Sequence, residues 1–325
     1  MQRAISVQLN GVLSTGQHAC MRLASGQAVE AQCSELRVTI AGVTTAITSC
    51  EPDLDLAVEG PTAHFVDATA DPDIRLQAAW YTPAQRDPGP KVFDSGGVWQ
   101  LFRDDDRLVF HLASPKFGTL PYKTATLSPD FTNGVVHLRR ECIGDARPLY
   151  PLEYPLDELL ITNWLALGRG VEVHACGVVD RDGTGYLFAG HSGAGKTTMA
   201  WQWCEEAGVT VLSDDRIVLR KIGNQIWMYG TPWHGDAELA SRGCAPLTRG
   251  FFLRHASRHE IIPVNGAQAV AKLFACSFPP FFSPRGVDFT LSLLADITQL
   301  APFCELGFVP ELSVLDFLRA RHKSF

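Results

Sequence analysis

The stretch from Gly185 to Thr198 decides the interpretation of the fold, and it reads Gly-Tyr-Leu-Phe-Ala-Gly-His-Ser-Gly-Ala-Gly-Lys-Thr-Thr. Its first half is an apolar strand, and its second half fits the pattern G-x-x-x-x-G-K-[ST]. The amphipathic segment that follows is typical of a helix. A plain glycine turn between a strand and a helix is the alternative. The strand, loop and helix in this order favour a phosphate-binding loop.

Each residue type in this loop suits contact with phosphates. Glycines allow positive φ and leave room for backbone N–H groups to turn inward, and the helix that follows adds the positive end of its dipole. The Lys196 ammonium can reach the β- and γ-phosphates, and the Thr197 hydroxyl can ligate Mg²⁺. We therefore expect ATP and Mg²⁺ as cofactors. The expected nucleotide-binding residues are Gly190, His191, Ser192, Gly193, Ala194, Gly195, Lys196, Thr197 and Thr198.

An acidic pair follows the next apolar strand along the chain. Residues 209–212 are Val-Thr-Val-Leu, and Ser213, Asp214 and Asp215 come directly after them. Because ligands in open α/β sheets lie at the carboxyl ends of strands, these carboxylates are expected beside the phosphates. One Asp would hold Mg²⁺, and a second would orient or deprotonate an acceptor hydroxyl. A solvated Asp-Asp turn is the alternative for the pair considered on its own.

A single imidazole lies upstream, in the apolar strand Val171–Val179. The turn Asp180-Arg-Asp-Gly183 then predicts a β-hairpin that leads into the strand before the phosphate loop. An isolated His in such a strand is often a hydrogen-bonded core residue. Because the next strand ends at the loop, a role for His174 beside the γ-phosphate is the functional alternative.

These three segments, taken together, resemble the catalytic core of HPr kinase/phosphorylase. That core has a His in a strand, then a P-loop, then an Asp-Asp pair, in this order and at similar spacing. ATP-dependent phosphoenolpyruvate carboxykinase shares the superfamily. The resemblance covers residues 155–260 well, and it implies an α/β fold: a P-loop kinase core with a mixed sheet and flanking helices.

The resemblance also implies roles for individual residues. Lys196 and Thr197 would hold the phosphates and the metal. One of Asp214 and Asp215 would ligate Mg²⁺ while the other acts as base toward the acceptor hydroxyl, and His174 would position charge near the γ-phosphate. Such a set supplies the positioning and charge neutralisation that phosphoryl transfer needs. The arginine-bearing hydrolase segment of the family is not recognisable here.

A separate turn, Tyr229-Gly-Thr-Pro-Trp-His-Gly235, resembles a less characterised branch of HPr-kinase-like proteins, some of which are thought to phosphorylate peptides. A rigid turn after a strand is a common way to present binding residues. Thr231 and His234 are therefore candidate substrate residues. Structural packing by Trp233 is the alternative interpretation of the turn.

Composition excludes several classes of function. The chain has 325 residues, 46% of them hydrophobic and 19% charged, with a net charge of −7. Without a long basic run, nucleic-acid binding is not expected. The sequence shows no 18-residue apolar span and no signal-like N-terminus, so membrane association is not expected. Nine scattered cysteines without a C-x-x-C pair indicate reduced thiols, and so a cytoplasmic protein.

The pattern of elements changes near residue 150, so we expect a β-rich domain over 1–150 and the catalytic domain over 151–325. In the first half, Leu36–Ile40 alternates with period two, and an acidic turn at 104–106 and Asn133-Gly134 predict hairpins. In the second half, helices are expected at 156–167, after the loop, and at 267–276, 287–300 and 312–321. The segment 277–284, Ser-Phe-Pro-Pro-Phe-Phe-Ser-Pro, either lines a binding surface or is a buried irregular loop.

The sequence thus predicts an ATP- and Mg²⁺-dependent kinase acting on a Ser or Thr hydroxyl of a peptide or small protein. A kinase for a small alcohol is one alternative, and a non-catalytic, nucleotide-gated sensor or scaffold is another. The β-rich half offers a surface where an extended acceptor chain can dock by strand addition. Homo-oligomerisation is left open.

Overall fold

The computed structural model describes residues 20–21, 30–31, 33–81, 88–143 and 148–322. Two mixed sheets and six α-helices organise this part of the chain. Within it, none of the helices has the length and apolar character needed to cross a membrane.

The first sheet has eight strands, in the order β3-β4-β5-β10-β9-β8-β7-β6. The β4–β5 and β5–β10 pairs are parallel, and the other pairs are antiparallel. Two short strands, β1 and β2, pair separately. The strands are β1 Cys20–Met21, β2 Glu30–Ala31, β3 Ser34–Ile40, β4 Val43–Ser49, β5 Ile74–Trp80, β6 Lys91–Asp94, β7 Trp99–Asp104, β8 Arg107–Leu112, β9 Lys123–Leu127 and β10 Asn133–Leu138.

The hairpin at the acidic turn is confirmed, since β7 and β8 pair antiparallel with Asp104 opposite Arg107. The prediction of a turn at Asn133-Gly134 is wrong in its position. Both residues lie inside β10, and Gly134 pairs with Leu127. The turn instead occupies residues 128–132, where the Asp130 carboxylate accepts hydrogen bonds from the backbone and hydroxyl of Thr132. An Asp side chain that caps its own turn competes well with an Asn-Gly pair.

Helix α2 (Leu156–Leu165) completes the core of this first sheet, after a four-residue helix α1 (Arg140–Ile143). Leu160 and Trp164 of α2 belong to the same buried cluster as Phe110 and Ile74 of the strands. The helix ends as predicted: Gly168, two residues beyond the C-cap, has a φ of +93°. The chain therefore buries α2 against the N-terminal sheet.

The second sheet has nine strands and carries the P-loop. Its main order is β16-β15-β14-β11-β12-β17-β19-β18, with β13 paired to β11. The parallel pairs are β12–β17 and β17–β19. The strands are β11 Val171–Val179, β12 Gly185–Ala189, β13 Thr210–Ser213, β14 Arg216–Ile222, β15 Gln225–Gly230, β16 Cys244–Pro246, β17 Arg249–His255, β18 Glu260–Pro263 and β19 Phe303–Phe308.

Helices cover both faces of this sheet, as the predicted α/β fold requires. Helices α4 (Gly266–Ala275) and α5 (Pro284–Leu300) pack on the face that carries Leu187. Helices α3 (Lys196–Cys204) and α6 (Ser313–His322) pack on the face that carries Phe188. Since successive strand residues point to opposite faces, β12 is apolar along its whole length. The predicted helices in this half are confirmed to within a few residues at either end.

The expectation that the cysteines are all reduced thiols is wrong for one pair, because Cys33 and Cys50 form a disulfide. Among the side chains that the structure describes, six other cysteines are free, namely Cys142, Cys176, Cys204, Cys244, Cys276 and Cys304. The β3–β4 hairpin places Ser34 opposite Ser49, so the residues just outside this pair approach each other. The cytoplasmic location stays a prediction.

Replacing Leu160 by Ala should lower the free energy of unfolding by about 2–4 kcal/mol, because it leaves a cavity between α2 and the first sheet. Leu167→Ala is the matched control, since that side chain is 44% exposed, and it should change stability by about 0.5 kcal/mol or less. Urea unfolding followed by tryptophan fluorescence measures both. Equal effects of the two substitutions would contradict the packing of α2.

Candidate functional site

The P-loop connects the buried strand β12 to the first turn of α3. Lys196 is 6% exposed, and its Nζ donates to the carbonyl oxygens of Gly190 at 2.9 Å and His191 at 3.1 Å. Gly195 has a φ of +104°, and a Cβ there would lie 2.7 Å from the Phe308 ring. Only glycine meets both demands. The loop thus folds back onto the lysine ammonium through two of its own carbonyl groups.

Burial lowers the pKa of Lys196 below its usual value, although the negative charge of Asp215 opposes the shift. The charges of Lys196 and Asp215 therefore influence each other across the site. His191, Ser192 and Gly193 are exposed at the tip of the loop. His255, at the end of β17, donates from Nε2 to the Gly193 carbonyl at 2.9 Å, a support that the sequence did not reveal.

The acidic pair lies at an interruption between two strands that both pair antiparallel with β11. Strand β13 pairs with residues 177–179, and β14 pairs with residues 171–174. Between them, the carbonyl of Asp215 accepts a hydrogen bond from the Ala175 backbone N–H at 3.1 Å. Since β12 pairs with the same part of β11, the interruption lies one strand away from the start of the P-loop.

The two aspartates have different environments. Asp214 is 1% exposed, and its two oxygens accept hydrogen bonds from the backbone N–H groups of Gly235 and Ala237, both at 2.9 Å. A Cβ on Gly235 would lie 2.9 Å from Asp214 Oδ2, so this close approach requires glycine. Asp214 therefore anchors the turn that follows β15.

Asp215 is half-buried and contacts two polar side chains. His174 donates from Nε2 to Asp215 Oδ1 at 2.8 Å, and Arg216 forms an ion pair with Oδ2. Burial raises the pKa of Asp215, but the His174 hydrogen bond and the charges of Arg216, His174 and Lys196 outweigh it and hold the pKa below its usual value. The carboxylate is thus ionised, and the imidazole orients it. The contact brings His174 and Asp215 together, while their roles as base, metal ligand or charge-positioning residue stay predictions.

Sequence reasoning missed Arg216 and the carboxylates around it. Its Nε lies 3.0 Å from Glu158 Oε1 and 3.2 Å from Glu172 Oε1, and its guanidinium stacks 4.4 Å from the Phe278 ring centroid. Burial raises the pKa of Glu172 well above its usual value. The sequence did contain a signal for this cluster. Glu172 and His174 share one face of β11 by period two, and Arg216 directly follows the acidic pair.

A cavity of about 380 Å³ opens at Asp215. Its walls come from the N-terminal half, from the segment before α2 and the first turn of that helix, from Asp215 and Arg216, and from the turn after β15. The lining residues are Val58, Glu59, Pro61, Thr62, Tyr150, Glu153, Tyr154, Asp157, Glu158, Asp215, Arg216, Pro232, Trp233 and His234. Both halves of the chain therefore shape the space in front of the carboxylate.

The two predicted substrate residues have different positions. His234 lines the cavity, and its Nδ1 donates to the Gly235 carbonyl at 3.0 Å. Thr231 is fully buried and donates from Oγ1 to the Arg216 carbonyl at 2.8 Å, so it holds the turn against β14. The segment 277–284 lines a second cleft of about 230 Å³, through Phe278, Phe281 and neighbouring residues.

These features define a mixed α/β domain with a P-loop at the end of β12, and a comparison with known protein families agrees on the P-loop. A family model described as "AAA domain" matches residues 186–232, which run from β12 through the P-loop to the turn after β15. Among solved structures, the Hpr(Ser) kinase/phosphatase from Coxiella burnetii is 12% identical, with a TM-score of 0.28, over 47% of this chain and 95% of that chain. No curated protein matches the chain.

Replacing Asp214 by Asn should lower the free energy of unfolding by about 1–3 kcal/mol, because the amide NH₂ would face a backbone N–H in place of an acceptor. Asp236→Asn is the control: it lies exposed in the same turn and should change stability by about 0.5 kcal/mol or less. Urea unfolding measures both. A neutral effect of Asp214→Asn would show that its two hydrogen bonds do not hold the turn.

Proposed function

We propose that the protein is an ATP- and Mg²⁺-dependent kinase that transfers the γ-phosphate to a Ser or Thr hydroxyl of a peptide or small protein. The observation that carries the proposal is the position of Asp215. It lies in electrostatic reach of the P-loop lysine, accepts a hydrogen bond from His174, and opens onto the cavity. The core would be of the HPr kinase and phosphoenolpyruvate carboxykinase type.

The residues of the loop fit a nucleotide. The buried Lys196 ammonium donates to the backbone carbonyls of Gly190 and His191, and it can exchange these contacts for phosphate oxygens. The nine-residue helix α3 begins at this lysine, and its N-terminal N–H groups favour negative charge. The bound ATP would supply the phosphoryl group.

Thr197, with one or both of Asp214 and Asp215, would hold Mg²⁺ on the nucleotide. Such ions take one or two carboxylates and complete their shell with phosphates and water, so few protein ligands are needed. Asp214 is buried and its oxygens accept backbone hydrogen bonds, whereas Asp215 is half-buried and lines the cavity, so Asp215 is the residue that would face the acceptor.

Asp215 would orient the acceptor hydroxyl and accept its proton as the oxygen attacks. Its lowered pKa keeps it ionised at neutral pH, and His174 fixes the direction of the carboxylate through the 2.8 Å hydrogen bond. Residues 1–150 would form the domain that shapes substrate access, because residues 58–62 contribute to the wall of the cavity. Residues 151–325 would form the catalytic domain.

Lys196→Ala should weaken the binding of a non-hydrolysable ATP analogue with Mg²⁺ by about 1.5–3 kcal/mol, because it removes a charge-assisted contact to the phosphates. Calorimetric titration measures the affinity. The matched control is Lys221→Ala, since that lysine lies on the surface of β14 and pairs with Asp296. Equal affinities of wild type and Lys196→Ala would refute nucleotide binding by the loop.

Asp215→Asn should reduce phosphoryl transfer by on the order of 10²-fold or more, because the amide cannot accept the hydroxyl proton. The assay incubates the protein with ATP and a panel of Ser and Thr peptides and detects the added phosphate by mass spectrometry. Phosphorylation of a small alcohol with no peptide modified would favour the small-molecule kinase. ATP binding without any transfer would favour the nucleotide-gated sensor.

A further inference from the structure

The cavity in front of Asp215 has an unbalanced charge. Five carboxylates line it, those of Glu59, Glu153, Asp157, Glu158 and Asp215, against a single guanidinium, that of Arg216. They come from three separate segments of the chain, so the imbalance is a property of the folded cavity. A ligand that enters this space meets more acidic than basic side chains.

The positive charge of Arg216 is already compensated. Its guanidinium pairs with Asp215 and Glu158, which line the cavity, and with Glu172 behind them. The nearby Lys123 is buried, 3.8 Å from Glu153, and does not line the cavity. Glu59 and Asp157 thus face the cavity without a cation among the ion pairs of the described residues.

Burial raises the pKa of Asp157 to about 7, because the carboxylate loses its hydration, although the hydrogen bond from the Glu158 backbone N–H and the Lys123 charge oppose the shift. A ligand cation in the cavity would supply the missing stabilisation. The negative walls therefore favour a positively charged ligand over a neutral one of the same shape.

The remaining walls suit an organic cation. Tyr150, Tyr154 and Trp233 also line the cavity, and aromatic faces attract ammonium and guanidinium groups. Among the residues that the structure describes, no three His, Cys, Asp or Glu side chains converge closely enough to hold a metal ion. The carboxylates are spread over the walls, which matches an extended ligand better than a bare ion.

From this arrangement, and given the kinase activity proposed above, we infer that the cavity selects peptide acceptors in which a Lys or Arg residue lies next to the phosphorylated Ser or Thr. The hydroxyl contacts Asp215, and the basic side chain enters the space between Glu59 and the aromatic wall. Charge complementarity thus makes this cavity the specificity site of the reaction.

The test uses three Ser peptides that are identical except for one residue beside the serine, which is Lys, Gln or Glu. For the wild-type protein, kcat/KM should fall by about tenfold from the Lys to the Gln peptide, and further for the Glu peptide. Glu59→Lys should reduce the activity on the Lys peptide by about tenfold and improve the activity on the Glu peptide. Tyr154→Leu should lower kcat/KM for the Lys peptide by about threefold.

Asp288→Asn is the matched control, since it removes one exposed carboxylate on α5, away from the cavity, and should leave the preference among the three peptides unchanged. Equal kcat/KM values for the Lys and Gln peptides would overturn the inference while leaving the kinase intact. Calorimetric binding of the same peptides, with a non-hydrolysable ATP analogue present, separates the two proposals. Preferential binding of the Lys peptide without any transfer would refute the kinase and support the cation-selective cavity.

Discussion

The pairing of β11 with neighbours on both sides is the constraint on which the site depends. On one side, β12 runs antiparallel to it and ends at the P-loop. On the other side, β13 and β14 continue each other along β11 and are interrupted at the acidic pair. His174 lies in β11 between them. One register therefore positions lysine, carboxylate and imidazole together, and a slip by one residue would turn His174 to the opposite face.

Helix α2 contributes both to the core of the first sheet and to the wall of the cavity. Its apolar side, with Leu160 and Trp164, completes the core of the first sheet, while Asp157 and Glu158 at its N-terminal end line the cavity. The position of these carboxylates thus depends on packing against the N-terminal sheet. The electrostatics follow the same division, because the Lys196 charge acts on Asp215 from the P-loop while Glu59 and Asp157 line the cavity.

Most of the secondary structure could be predicted because it depends on local patterns. Leu36–Ile40 alternates with period two, and the helices have apolar residues at helical spacing, so burial of one face determined each element. The turn at 128–132 was missed because Asp130 makes hydrogen bonds that no dipeptide pattern shows. The Cys33–Cys50 disulfide was missed because it depends on the pairing of β3 with β4, which composition does not reveal.

The sequence by itself determined the P-loop and the presence of His174, Asp214 and Asp215, because the glycines, the lysine and the carboxylates carry their chemistry in short motifs. Only the tertiary structure distinguished the two aspartates. Asp214 accepts hydrogen bonds from two backbone N–H groups of a turn more than twenty residues away, whereas Asp215 lines the cavity. The tertiary structure also placed Arg216 beside Glu158 and assembled the acidic walls of the cavity from distant segments. Contacts between distant segments depend on sheet register and helix packing, which one stretch of sequence does not encode.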